Sequence, residues 1–110
     1  MNILHYSPES LSDLDEIWKY IFEDLQNPSA AQNTVDGILN SIKKLQDFSE
    51  MGPPLSSVTE VESDYRFLVC GNYLTFYRVK GKNVHIDRIL YGRRDYLHVL
   101  FDNPSNEAKK

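Results

Sequence analysis

The sequence predicts an α+β fold: a helical hairpin packed on a mostly antiparallel sheet. Three observations point there. Two stretches with apolar residues three or four apart follow one another across the short break Gln26-Asn27-Pro28-Ser29. Stretches rich in β-branched and aromatic residues then fill positions 65–91, punctuated by glycine turns. Helical and strand patterns are segregated rather than alternating, which separates α+β from α/β. The order is β-α-α-β-β-β with a short C-terminal helix. A chain of 110 residues with 41% apolar content makes a single domain around one modest core. That domain is expected over 1–101, with 102–110 as a flexible tail.

Asn2 to Tyr6 reads as a short first strand. Ser7-Pro8-Glu9 opens a helix, with Ser7 as N-cap, Pro8 in first position and an acid against the positive end of the dipole. Leu11, Leu14, Trp18, Ile21 and Leu25 form its apolar stripe. Asn27 caps the second helix, which starts at Pro28 and shows Ala31, Val35, Ile38, Ile42 and Leu45. So short a link makes the two helices antiparallel neighbours. Leu11, Leu14, Trp18, Ile21, Val35, Ile38 and Ile42 are expected in one core against the sheet. Gly37 suggests a close approach to a facing element.

Met51-Gly52-Pro53-Pro54 ends the helical half, and residues 49–64 are loop. Strands follow at Tyr65 to Cys70, Tyr73 to Val79 and Asn83 to Tyr91, joined by turns at Gly71-Asn72 and Lys80-Gly81-Lys82. The register of the last hairpin is open, because a two-residue turn and a bulged one put opposite faces together. One face of the strands must cover the helices. The other is expected to be a partly exposed aromatic groove.

Charge is unevenly spread. Residues 1–64 hold three lysines against twelve acids, a balance of −9, whereas residues 65–110 carry +5. An acidic half repels phosphate backbones and argues against tight nucleic-acid binding by the chain alone. No apolar run is long enough for a membrane span. The amino terminus lacks the pattern of a secretion signal, so the cytoplasm is the expected compartment. His5, His85 and His98 show no metal-ligand spacing, Cys70 is alone, and no glycine loop cradles a phosphate; neither metal nor cofactor is expected.

What remains is Arg66, Arg78, His85, Arg88, Tyr91, Arg93, Arg94 and Tyr96, all on the sheet or its rim. Arginines with Tyr or His on one face could cleave RNA, the guanidinium stabilising charge at phosphorus and the ring moving a proton. The same types grip proteins, since Arg and Tyr dominate interface hot spots. A third reading has Arg94 and Asp95 merely capping and solubilising the terminal helix. Residue chemistry leaves these alternatives open.

Tyr6-Ser7-Pro8-Glu9 leading into Leu14-Asp15-Glu16-Ile17, the run Asp47 to Pro53, Tyr65-Arg66, Phe76-Tyr77-Arg78 and Arg88-Ile89-Leu90-Tyr91-Gly92-Arg93-Arg94-Asp95 together resemble the RelE/ParE superfamily of bacterial type II toxins. The resemblance spans residues 2–101. It implies a toxin silenced by a cognate antitoxin, with a higher-order toxin–antitoxin assembly as a further expectation. The RelE-like branch is a ribosome-dependent mRNA endoribonuclease, and a site of that kind would draw on Arg66, Arg94, His85 and Tyr91. Two positions that carry an arginine and a tyrosine in the RelE pattern are Leu74 and Leu100 here. The Phe-Tyr-Arg-Val strand and the Gly-Arg-Arg-Asp ending look more like the ParE branch, associated with inhibition of DNA gyrase and without an established catalytic site. On that resemblance Arg78, Arg88, Arg93, Arg94 and Tyr96 contact the target or the antitoxin, and the chain is a binding inhibitor rather than an enzyme.

Overall fold

The computed structural model describes residues 1–101, and the tail expected at 102–110 lies outside them. The elements are β1 (Ile3–Tyr6), α1 (Pro8–Lys19) continued by a π turn (Tyr20–Asp24), α2 (Pro28–Lys43), β2 (Arg66–Cys70), β3 (Tyr73–Lys80), β4 (Asn83–Tyr91) and α3 (Tyr96–Leu100). Short 3₁₀ turns follow α2 at Lys44–Gln46 and interrupt the long loop at Leu55–Ser57. The sheet order is β1-β4-β3-β2; β1 lies parallel to β4 and the other pairs are antiparallel.

Local chemistry sets the helix starts as expected. The Ser7 hydroxyl accepts from the Ser10 N–H at 2.9 Å, and Asn27 Oδ1 accepts from the Ala30 N–H at 3.1 Å, each ahead of a proline. Between the helices Gln26 takes the left-handed conformation at φ 51°. Gly37 sits where an added Cβ would lie 3.5 Å from Cys70 Sγ, so α2 comes close to β2 there.

The phase of α1 differs from the one its leucines suggest. The face against the sheet is Ser10, Asp13 and Ile17, one residue earlier than the expected stripe, which it rejoins at Ile21 in the π turn. Ile21, Ile38 and Ile42 are core as expected, and Leu14, Trp18 and Val35 pack half-buried against them. Leu11 is 53% exposed and Leu25 55%, and neither belongs to that core. The reason is Asp13, a polar residue inside the buried face that turns α1 toward its partner on β4.

The hairpin register combines both alternatives. Lys80 pairs with Asn83 across the two-residue turn Gly81-Lys82, and a bulge farther along sets Tyr77 opposite Ile86 but Phe76 opposite Arg88. Asp87 is the extra residue. Val84 and Ile86 face the helices before the bulge, and Ile89 does so after it. Leu90 is thereby sent to the other face, where it joins Leu55 and Phe76 in a second buried cluster. The expected aromatic groove is thus filled by the chain itself: Tyr96, Leu97, Val99 and Leu100 of α3 pack there with Tyr65, Phe67 and Leu74.

Candidate functional site

The bulge is the hub from which the arginines are placed. Beyond Ile86 β1 has ended, and the Ile89 N–H meets no strand; it donates to Asp13 Oδ2 at 2.9 Å. Arg88 grips the same carboxylate through Nε at 2.8 Å and Nη2 at 2.9 Å. Its hydrogen bonds to the Asp13 carboxylate raise the Arg88 pKa. The Ser7 hydroxyl donates to the Asp87 carbonyl at 2.7 Å, and the Asp87 side chain takes Arg78 Nε at 2.8 Å. Arg78 also lies over the Tyr65 ring, 5.6 Å from its centroid. Ser7 and Arg78 therefore hold Asp87 itself, and Asp13 holds the two residues after it.

Arg66 is likewise engaged within the chain. Its Nη1 donates to the Gly52 carbonyl at 2.7 Å and to the Glu50 carbonyl at 3.3 Å. Beside it the buried Tyr77 hydroxyl accepts from the Gly52 N–H at 3.0 Å and donates to the Ser49 carbonyl at 2.9 Å. Together they staple the 49–52 loop to the sheet. Tyr96 packs on Phe76 with ring centroids 5.2 Å apart. His85 stacks on His5 at 4.9 Å, and the His5 ring is fixed in turn by Asn83 at 2.8 Å.

Arg93 and Arg94 differ from all of these. Both are exposed, and neither side chain makes a hydrogen bond or ion pair among the described residues. They occupy the turn between β4 and α3, held by the Gly92 N–H on the Asn72 carbonyl at 2.7 Å and the Arg94 N–H on the Tyr91 carbonyl at 3.0 Å. Asp95 caps α3 by accepting from the His98 N–H at 3.3 Å, so the capping role read for Asp95 holds.

Arg94 lines a groove of about 630 Å³ between the helical hairpin and the end of the sheet. Ile17, Ile21, Ala30 and Ile89 give it apolar walls, and Tyr20, Tyr73 and Tyr91 carry its phenols. Tyr73 and Tyr91 face each other across β3 and β4 with centroids 5.9 Å apart. Burial, then Tyr20 and Tyr91 nearby, pushes the Tyr73 pKa up, away from what a proton acceptor at neutral pH requires.

Of the four residues a ribonuclease site would draw on, the groove unites only Tyr91 and Arg94. His85 lies six residues back along β4, roughly 20 Å away at strand rise. Arg66 is tied to the loop, and no histidine lines the groove. Of the residues read as binding groups, Arg78, Arg88 and Tyr96 are engaged inside the chain, leaving Arg93 and Arg94 outward. Tyr20, Asn72 and Tyr73 were missed. The pairing of Tyr73 with Tyr91 was hidden by the open register, and nothing local in the sequence marks Tyr20. Among the described residues no group of three His, Cys, Asp or Glu side chains could hold a metal ion. No helix among them is long and apolar enough to cross a membrane.

The sequence model of the family described as ParE toxin of type II toxin–antitoxin system, parDE, matches residues 4–96. The chain belongs to the ParE toxin family. A chain of the chromosomal ParDE toxin–antitoxin system from P. aeruginosa superposes with a TM-score of 0.69 at 29% identity, over 83% of this chain and 96% of that one. A YafQ mutant from E. coli shares the fold at a TM-score of 0.50 and 16% identity, over 92% of this chain and 99% of that one. No curated protein sequence matches.

Proposed function

We propose that this ParE-family chain is a cytoplasmic toxin that inhibits DNA gyrase by protein contact and is neutralised by a cognate antitoxin. The observation that carries this reading is the contrast among the arginines. Arg66, Arg78 and Arg88 are engaged by carbonyls or carboxylates of the chain itself, whereas among the described residues Arg93 and Arg94 stand uncommitted, Arg94 at the mouth of a tyrosine-lined groove and Arg93 beside it in the turn. Uncommitted guanidinium groups beside exposed aromatic surface suit protein recognition. Support also comes from Leu74 and Leu100, which stand at the two RelE-type positions and pack in the second cluster, where they hold α3 on the sheet. The −9 balance of residues 1–64 suits a protein target better than ribosomal RNA.

On this reading Arg93 and Arg94 are recognition groups, not acid, base or electrophile. The antitoxin places an acidic segment against them, and so competes with the target.

Controlled expression in cells tests it. Induction brings a DNA-damage response while translation continues at first, and mRNA on programmed ribosomes stays intact with purified chain. Prompt arrest of translation with cleavage of ribosome-bound mRNA would assign the endoribonuclease activity instead.

A further inference from the structure

Helix α1 and its π turn carry an apolar row that the fold covers only in part, at Leu14 and Trp18. Leu11, Leu14, Trp18, Phe22 and Leu25 recur at steps of three and four. The Trp18 and Phe22 rings stack at 5.8 Å, so the row runs unbroken from the α-helix into the π turn. Leu11, Phe22 and Leu25 are exposed, and Leu14 and Trp18 are half-buried. The row has the spacing of a helix-packing seam and about two heptads of length. Water on a contiguous apolar row is a marker of an interaction surface.

We propose that this row is where two copies of the chain pair, α1 of one lying antiparallel to α1 of the other about a two-fold axis near Trp18. An interface of that symmetry must be self-complementary. Antiparallel alignment about Trp18 sets Leu11 opposite Leu25 and Leu14 opposite Phe22, so each large apolar group meets another. The charges bordering the seam fit the same axis. Asp15 and Lys19 lie one turn apart on its flank, both well exposed and 3.2 Å from each other. The two-fold brings Asp15 of each copy toward Lys19 of its partner, twice.

The acids that would repel a second copy are elsewhere: Glu16 stands roughly 200° round the helix from Trp18. With one acid and one base, the flank offers no net charge to select a strongly basic or acidic helix from another protein. A single-helix seam belongs with weak interfaces below about 1,200 Å². The dimer is therefore reversible, and it is independent of the gyrase reading.

Sedimentation velocity of the full chain from about 1 μM to about 1 mM tests this. The expected result is a concentration-dependent monomer–dimer equilibrium. Leu11→Glu and Phe22→Glu each weaken it at least about tenfold, with the helical circular dichroism unchanged. Asp15→Lys alone and Lys19→Asp alone weaken it several-fold, and the combined exchange restores it. A monomer throughout the range overturns the proposal, as does a dimer indifferent to Leu11→Glu. So does a free chain that stays monomeric while a bound antitoxin shields the row.

Discussion

Removing the Asp13 carboxylate strips β4 of the group that holds its irregular end to α1. Asp13 is 5% exposed and accepts three hydrogen bonds, two from Arg88 and one from the Ile89 N–H. Asp13→Ala leaves that N–H buried without an acceptor, at about 1–3 kcal/mol. It also leaves Arg88 unpaired, and breaking a buried pair from one side costs about 3–5 kcal/mol. The Arg88 side chain is a quarter exposed and regains some hydration, so the total is placed near the lower end, about 3 kcal/mol. Against a stability of about 5–15 kcal/mol for a domain this size, that is a large loss. Asp13→Asn keeps one acceptor for Ile89 but turns an amide donor toward Arg88, for a loss of about 2 kcal/mol. Urea unfolding followed by tryptophan fluorescence reads both, with Arg88→Met and the double variant closing a cycle whose coupling exceeds about 1 kcal/mol. Breaking the exposed Asp15–Lys19 pair is the control, at a few tenths of a kcal/mol. A loss below about 1 kcal/mol for Asp13→Ala, with an unchanged m-value, would refute the hub.

The loop staple predicts that Gly52→Ala destabilises by about 2–3 kcal/mol in the same assay, because an added Cβ would lie 2.4 Å from the Phe67 carbonyl oxygen and 2.7 Å from the Tyr77 hydroxyl. Tyr77→Phe costs about 1–3 kcal/mol, since the Gly52 N–H loses its acceptor in a buried site. Gln26→Gly raises stability by up to about 1 kcal/mol by relieving a left-handed non-glycine residue. Burial pushes the Tyr65 pKa to about 12, with Asp87 adding to it, and burial also raises Tyr6, Tyr73 and Tyr77. Unfolded tyrosines ionise near pH 10, so this contribution is complete below pH 10 and is lost as pH climbs toward about 12. Phenolate absorbance should accordingly lag in the folded chain, and the urea midpoint should fall over that window.

The parts of the fold that were legible in the sequence are those decided locally. Ser7 and Asn27 cap their helices because a side-chain oxygen three residues from an N–H suffices, and the glycine turns follow from backbone freedom at Gly71 and Gly81. The phase of α1 was not legible. Its leucines and tryptophan mark a seam, whereas the buried face contains Ser10, whose hydroxyl donates back to the Ser7 carbonyl, and Asp13, whose partners Arg88 and Ile89 lie more than seventy residues away. The bulge at Asp87 was hidden for the same reason, being fixed by Ser7, Asp13 and Arg78 together. That bulge decides which arginines are engaged, so the sequence marked the arginines but not their division. Arg66, Arg78 and Arg88 lie on the strands where they were read, but their partners could not be, whereas the turn of Arg93 and Arg94 follows from the glycine before them and the helix cap after them.

Inhibition of DNA supercoiling by purified gyrase, titrated with this chain, tests the central claim most directly. Wild-type chain should inhibit, and an Arg93→Ala, Arg94→Ala variant should lose at least about tenfold in potency, since each uncommitted guanidinium in an interface is worth about 1–2 kcal/mol. The variant should unfold at the same urea concentration as wild type, because neither side chain has a hydrogen-bond or ion-pair partner among the described residues. Unimpaired supercoiling at all concentrations of wild-type chain, or equal inhibition by the doubly substituted one, would contradict the account.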